Sequence, residues 1–489
     1  MSERCKEEET VTPIRSFGRY QAGESIVRHA NSVDEIRKVF AEARESKRRV
    51  AIRAGGHSFH DQALHDKDTG SSIVLFVGDF QRDLIEFVPG QDQVRLGTGV
   101  RWGDYFREAL KVVSGEPLLI PASMQTGRKA TVGGTLSGDC LSRFSGTMGK
   151  ESRSIVSFRL LTTTGTILDV SEDKDPDLFH SVIGGHGYLG FVLEATYCLV
   201  PVAMPSAAFT AISLHDSFTE LVQRQLEIVK QNDGKMRAVS SAWFTDLHGI
   251  DGPNRIKGAV FESWFDAPTV PPKAGFPLYD DIESPWRYAT ELLARTEPAN
   301  TFAHEFLYLL AKHHQGDFEN SLTDFMFFMD GNTVAKEKFE ESTGQLFPII
   351  QQTFVIPPDA TAQFAENCEH KMRSYSIRPT EADMLYVKAD ECLMSGNYHL
   401  DGFAVSFGFE PIKTQPPPRI LELLDDLTED CLAFGGRLHL VKNAYAQPTK
   451  LRRMFSPQIE KFEEIKRKHD PSLILQNTFS DRLFKFSTK

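Results

Sequence analysis

Short β-branched and aliphatic runs alternate with amphipathic stretches from about Ile26 to Val200. Ser32 to Phe40 sets apolar residues at helical spacing behind a serine able to accept from the free N–H groups of a first turn, which predicts a helix opening there. The runs Arg49–Ile52, Ser72–Phe76, Gln93–Leu96 and Ile155–Leu161 read as strands. This order is α+β rather than a regular βαβ repeat. It lacks the G-x-G-x-x-G run followed by an acidic residue that marks a Rossmann dinucleotide site. Pro201 to Pro205 interrupts the pattern, and the chain beyond it mixes strands with longer helices. One helix, Arg419 to Leu432, follows Gln415-Pro416-Pro417-Pro418 and stops at Gly435-Gly436, after which a strand is expected. A charged helix covers Pro457 to Lys468, and no internal repeat is found.

A chain of 489 residues exceeds what one core usually serves, so two domains are expected. Hydrophobic residues are 40% and charged residues 25%, the balance of an ordinary globular protein. The formal charge of −12 opposes a nucleic-acid partner. With no apolar run of about 18 residues, a membrane span is excluded. Met1 to Glu9 is acidic and lacks the apolar core of a secretory signal, which points to a cytoplasmic protein. The six cysteines lie far apart with no C-x-x-C pair, as reduced thiols would. His313-His314 offers no metal spacing, so no metal is expected. Phenylalanine is the outlier, 36 against 11 tyrosines and 4 tryptophans. It is dense at Phe325-Met326-Phe327-Phe328-Met329, where core is the commoner fate and a ligand-facing groove the other.

Two glycine-rich runs carry the chemistry: Arg53-Ala54-Gly55-Gly56-His57-Ser58 and Thr131-Val132-Gly133-Gly134-Thr135-Leu136-Ser137-Gly138-Asp139. Both read as turns after strands, where missing Cβ atoms let backbone N–H groups approach a pyrophosphate. His57 adds a nucleophilic imidazole that a phosphate cradle does not need, and a flavin is the ligand that uses both.

Together these runs resemble the FAD-linked oxidases of the vanillyl-alcohol oxidase (p-cresol methylhydroxylase) superfamily over nearly the whole chain. Ile183 to Val192 looks like that family's third glycine-rich stretch, and Asp470-Pro471 through Asn477 like its C-terminal return. The resemblance implies a PCMH-type FAD-binding domain at 1–204, an inserted α/β substrate or cap domain at 205–435, and a segment returning to the active site at 436–489. It assigns FAD contacts in the first loop to Arg53, Ala54, Gly55, Gly56, His57, Ser58 and Gln62. Before and within the second they fall to Ser123, Thr126, Thr131, Gly133, Gly134, Ser137, Gly138 and Cys140, and farther on to Gly190, Val192 and Asn477. By analogy with the alditol and berberine-bridge branches, His57 would bond the flavin 8α-methyl covalently; a histidine merely hydrogen-bonded in the turn is the other reading. Pro121 to Gly127 has no cysteine for a second link. Cys140 would lie near the edge where oxygen arrives, as a gate or as a small buried residue.

Gln351 to Pro357 and Gly435 to Lys442 are similar to the decaprenylphosphoryl-ribose oxidases and to the sugar and alditol oxidases. An alcohol-oxidising flavoenzyme is thereby implied, acting on a small molecule with an apolar portion. Lys442 matches that group's active-site lysine, and its ammonium would stabilise negative charge on the substrate oxygen, or take its proton if burial lowered its pKa. His439, three residues earlier, would face away from it in a regular strand. Lys388 resembles a lysine that meets phosphate or a sugar hydroxyl. Glu410 falls on an apolar strand, as a catalytic carboxylate or a solvated end. The Glu/Arg pair of alditol oxidases falls near Asp383 and Leu385, and the missing arginine argues against a simple polyol. An NADPH-dependent C=C reductase of the sterol-reductase type and a non-catalytic flavin-binding scaffold are the alternatives. Oligomeric state is left open.

Overall fold

The computed structural model describes residues 10–66, 72–112, 118–125, 127–232, 234–244, 256–266, 272, 312, 316–328, 330–346, 348–411, 416–442, 444–484 and 486. Three sheets organise them. The first has four strands in the order Val11–Arg15, Ala22–His29, Ser72–Phe76, Arg49–Arg53. Its last three strands run parallel, and a parallel pair needs a crossover. Helix Val33–Ser46 crosses from Ala22–His29 to Arg49–Arg53, which flank Ser72–Phe76 on either side. Ser32 and Glu35 close a reciprocal capping box at its start, while Ile36, Val39, Phe40 and Ala43 are buried. Ile36 and Phe40 are wholly inaccessible, each worth roughly 1.5–3 kcal/mol by transfer from water.

The second sheet is antiparallel, ordered Ile85–Phe87, Gln93–Gly97, Phe191–Val202, Ile155–Leu161, Ile167–Ser171, with Leu118–Pro121 paired to the far end of Phe191–Val202. Its residues Leu161, Phe191 and Leu193 share a core with the first sheet. No described helix is long and apolar enough to cross a membrane.

The third sheet has eight antiparallel strands: Gly316–Ser321, Ala207–His215, Gly258–Trp264, Ala238–Trp243, Glu381–Val387, Gly402–Phe409, Ile350–Ile356 and Arg437–Leu438. Strand side chains alternate between faces. Phe403, Val405, Phe407 and Phe409 join Met384, Phe354 and Ile350 in the core with Phe364 and Met372 of helix Thr361–Tyr375 and Leu423 and Leu427 of helix Pro417–Ala433. The opposite face carries Leu385, Val387 and Ala404, which pack against Leu141, just beyond the second glycine-rich run. That face therefore looks toward the first two sheets.

The strands Ser72–Phe76 and Ile155–Leu161 have the predicted bounds. Core is the outcome for the phenylalanine-rich stretch. Phe325, Met326 and Phe327 are buried in helix Leu322–Phe327, and the Arg143 guanidinium lies 4.0 and 4.3 Å from the Phe325 and Phe328 rings. Met329 and the His313-His314 pair lie outside the described residues.

Candidate active site

Strand Arg49–Arg53 ends in a tight turn. Gly56 has φ +74°, and a Cβ on it would stand 3.1 Å from the Arg53 Nη2 folded beneath. That nitrogen donates to the Arg15 carbonyl at 2.9 Å, so Arg53 holds the loop from below. A Cβ on Gly55 would come 3.1 Å from the Lys129 carbonyl and 3.2 Å from Thr131 Cγ2, which is where the two glycine-rich runs meet. His57 stands beside this junction with its ring 5.1 Å from Phe17. Its Nδ1 is buried without a hydrogen-bond partner, and burial with the nearby Lys129 charge pushes its pKa down to about 4, against the pull of Glu337. At neutral pH the imidazole is uncharged and nucleophilic.

The second run is not a turn after a strand, as its sequence reads. Residues Val132–Gly138 form a helix capped by Thr131, whose side chain accepts from the Gly134 N–H. The glycines serve close packing. A Cβ on Gly133 would lie 2.7 Å from Thr98 Cβ, and one on Gly138 2.9 Å from Val441 Cγ2 and 3.1 Å from Cys140 Sγ. The third run braces this helix, since the N–H groups of Gly184 and His186 donate to Leu136 and Ser137 at 3.0 and 2.9 Å. Helix Asp330–Thr343 lies across both loops. Asp330 pairs with Arg128 at 3.0 Å, Glu337 with Lys129 at 2.7 Å and Glu340 with Arg19 at 3.0 Å.

Lys442 arrives on a turn. The strand Arg437–Leu438 is only two residues long, and the Lys442 N–H then donates back to the His439 carbonyl at 3.4 Å. This bend removes the expectation that His439 and Lys442 face opposite ways, and burial, with the Lys150 and Lys442 charges, holds His439 well below the usual imidazole range. The Lys442 ammonium sits 4.0 Å from the Phe59 ring centroid. Burial pushes its pKa down, while Cys140, Asp383 and Glu381 counteract. Gln62 fixes the turn by donating to the Leu440 and Lys442 carbonyls at 2.9 and 2.7 Å.

Residues 25–171 match the family model described as "FAD binding domain". The chain is 24% identical over 468 residues to decaprenylphosphoryl-beta-D-ribose oxidase of Mycolicibacterium smegmatis, covering 92% of each chain. It is 30% identical over 211 residues to FAD-dependent monooxygenase drtC of Aspergillus calidoustus, 43% of this chain and 38% of that one. With cytokinin dehydrogenase 1 of Arabidopsis thaliana it shares 30% over 193 residues, 38% of this chain and 32% of that one. This is an FAD-dependent oxidoreductase, similar in its FAD-binding domain to those of the vanillyl-alcohol oxidase superfamily. The residues present fit the cofactor: an unpartnered, buried imidazole nitrogen stands where two glycine-rich segments approach within the space of a Cβ.

Several residues expected at the oxidoreductase's cofactor make bonds or packing contacts within the protein. Ser123 donates to the Gly149 carbonyl at 2.6 Å. Asn477 caps helix Thr478–Leu483, donates to the Gln62 carbonyl at 2.6 Å and accepts from Tyr188 at 2.6 Å. Gly190 and Val192 belong to the sheet, a Cβ on Gly190 meeting the Leu161 carbonyl at 2.7 Å. Ala54 packs on the core between the first two sheets. The Ser58 carbonyl accepts from the Phe17 N–H at 2.8 Å, and Thr126 lies outside the described residues. Lys388 donates to the Thr147 carbonyl. Glu410 follows the strand Gly402–Phe409 and is buried, so the solvated-end reading fails.

Two groups in the oxidoreductase are not assembled by the sequence reading, which names Asp383 only against the alditol-oxidase pair. Thr353, Ser406 and Asp383 are cross-strand neighbours on the face opposite the helices, with Glu381 one row along. Lys150 is fully buried between two carboxylates, 2.5 Å from Asp139 and 2.9 Å from Asp390, and donates to Ser395 at 2.7 Å. Asp139, Asp390 and Cys392 hold ligand atoms within 4.8 Å of one another, and the Lys150 ammonium supplies the positive charge there. Polar residues at every second position of apolar strands were the available signal for the first group; the second has none, since its members are far apart in sequence.

Proposed function

We propose that the protein oxidises a CH–OH group of a sugar-like, polyol or natural-product substrate with an apolar portion. The FAD would be bonded through His57 and the substrate oxygen set against Lys442. The observation that carries this reading is the position of Lys442, whose partly buried ammonium lies between the second FAD loop, through Cys140 and Val441, and the polar face of the eight-stranded sheet. FAD bound there supplies a hydride acceptor. Lys442 would hold its proton and balance the negative charge that grows on the substrate oxygen. His439 and Gln62 keep the turn in place, while Lys388 and Glu410 border the same sheet. In this reading residues 1–204 and 436–489 bind FAD and 205–435 form the inserted substrate domain. The return of the chain supports this, since Leu475 bridges Val50 and Asn477 bonds Gln62. The five described cysteines are free thiols, as suits a cytoplasmic protein.

The test is anaerobic titration of the purified flavoprotein with sugars, polyols, prenyl-phospho-sugars and aromatic alcohols. Bleaching of the flavin by one class supports the reading and names the substrate type; reduction by NADPH alone would replace it with the reductase. Acid precipitation separately checks the link. Wild-type protein should carry its flavin into the pellet, and His57→Ala should release it entirely to the supernatant.

A further inference from the structure

Oxidising an alcohol removes two hydrogens of different kinds, and Lys442 as an ammonium can receive neither. The C–H hydrogen leaves with its electron pair to the oxidised FAD, the C–O bond becomes C=O, and the O–H proton needs a base. Building on the function proposed above, we propose that Asp383 is that base, oriented by Ser406 and Thr353 and facing Lys442.

The geometry starts from register. Thr353 pairs with Ser406 and Ser406 with Asp383 across three adjacent strands, so their side chains share one face. The Thr353 and Ser406 hydroxyls are 2.9 Å apart, and the Ser406 hydroxyl is hydrogen-bonded to the Asp383 carboxyl. An ionised carboxylate accepts only, so Ser406 donates to Asp383 and Thr353 in turn donates to Ser406. The chain of donors thus fixes the carboxylate before any substrate enters. On the strand beyond, Asp383 faces Ala242, which brings no charge. Its own strand contributes Glu381, the turn contributes Lys442, and Cys140 and Lys336 act on Lys442 from the FAD loop and the overlying helix.

These surroundings suit proton transfer. Burial raises the Asp383 pKa, and Glu381 adds to the rise, while Lys442 and Ser406 oppose it, leaving it at about 7. A base works best when its pKa lies near the working pH. Asp383 is ionised above that value and takes the proton as the hydride departs, and it returns the proton to solvent afterwards. Lys442 keeps its own proton throughout.

Asp383→Asn tests this, read in two ways. Infrared titration of wild-type protein should show one carboxyl band disappearing as pH rises through about 7, and that band should be absent from Asp383→Asn whether or not any substrate is known. With a substrate in hand, kcat should fall about a hundredfold or more with a smaller change in KM, and the acidic limb of the rate profile should vanish. Asp383→Glu should restore part of the rate. Ser406→Ala removes a bond that lowers the Asp383 pKa, so its limb should move to higher pH. A wild-type rate and limb in Asp383→Asn, or no carboxyl titrating near neutrality, overturns the proposal. If no alcohol bleaches the flavin while the carboxyl still titrates, it is the function that fails and not the assignment of Asp383 as the near-neutral group.

Discussion

Lys442→Met lowers kcat about a hundredfold to a thousandfold and leaves flavin binding unchanged, the scale of losing one preorganised donor at a developing oxyanion. Methionine keeps the length and packs on Phe59 as the lysine stem does, so the change isolates the charge. The turn itself is held by Gln62 through backbone carbonyls and does not depend on the Lys442 side chain. Flavin absorbance and its reduction by dithionite should therefore match wild type, while stopped-flow reduction by substrate slows. The pH dependence provides a second readout. Because burial lowers the Lys442 pKa from its ordinary 10.5, the ammonium is lost at a lower pH than on a free lysine. The rate should decline on the alkaline side below that value, and Lys442→Met should show no such decline. A variant within a few-fold of wild type would remove the lysine from the mechanism.

Lys150→Met destabilises the fold by about 3–5 kcal/mol, because it strands two carboxylates away from water. Asp139 and Asp390 are both nearly inaccessible, and neither can reach solvent when the ammonium is gone. Asp139 also accepts from the Ser152 N–H at 2.9 Å and ends the helix of the second glycine-rich run, so the loss reaches that helix as well. Urea unfolding of the flavoprotein measures it. The triple variant Lys150→Met with Asp139→Asn and Asp390→Asn should recover much of the stability, since it removes the stranded charges rather than their partner. Burial alone would lower the Lys150 pKa, but the two aspartates outweigh it and hold it above the ordinary 10.5. The stabilisation is therefore complete below that pH and is lost only as pH climbs through the still higher folded value. Equal stability of Lys150→Met and wild type would contradict the account.

Local signals carried the sequence reading a long way. Ser32 with Glu35 marked the first helix, β-branched runs marked strands, and Gly55-Gly56 marked a tight turn after one of them. Errors arose where meaning depends on contacts distant in the chain. Gly133 and Gly138 read as freedom in a turn, yet they sit in a helix whose glycines admit Thr98 and Val441. Glu410 reads equally as a catalytic carboxylate and as a solvated strand end, because nothing local reports what covers it. Asp383 gains its partner only through pairing of strands that begin at Ile350, Glu381 and Gly402.

The two-sided strands of the large sheet constrain how this enzyme can acquire a new specificity. A single-residue insertion or deletion within Glu381–Val387 or Gly402–Phe409 would exchange the faces, sending phenylalanines to the polar side or carboxylates into the apolar layer beneath the helices. Heritable change on the polar face must therefore come by substitution. Because Thr353, Asp383 and Ser406 have no part in the packing on the other side, substitutions at those positions alter the polar face while the hydrophobic layer behind them stays as it is.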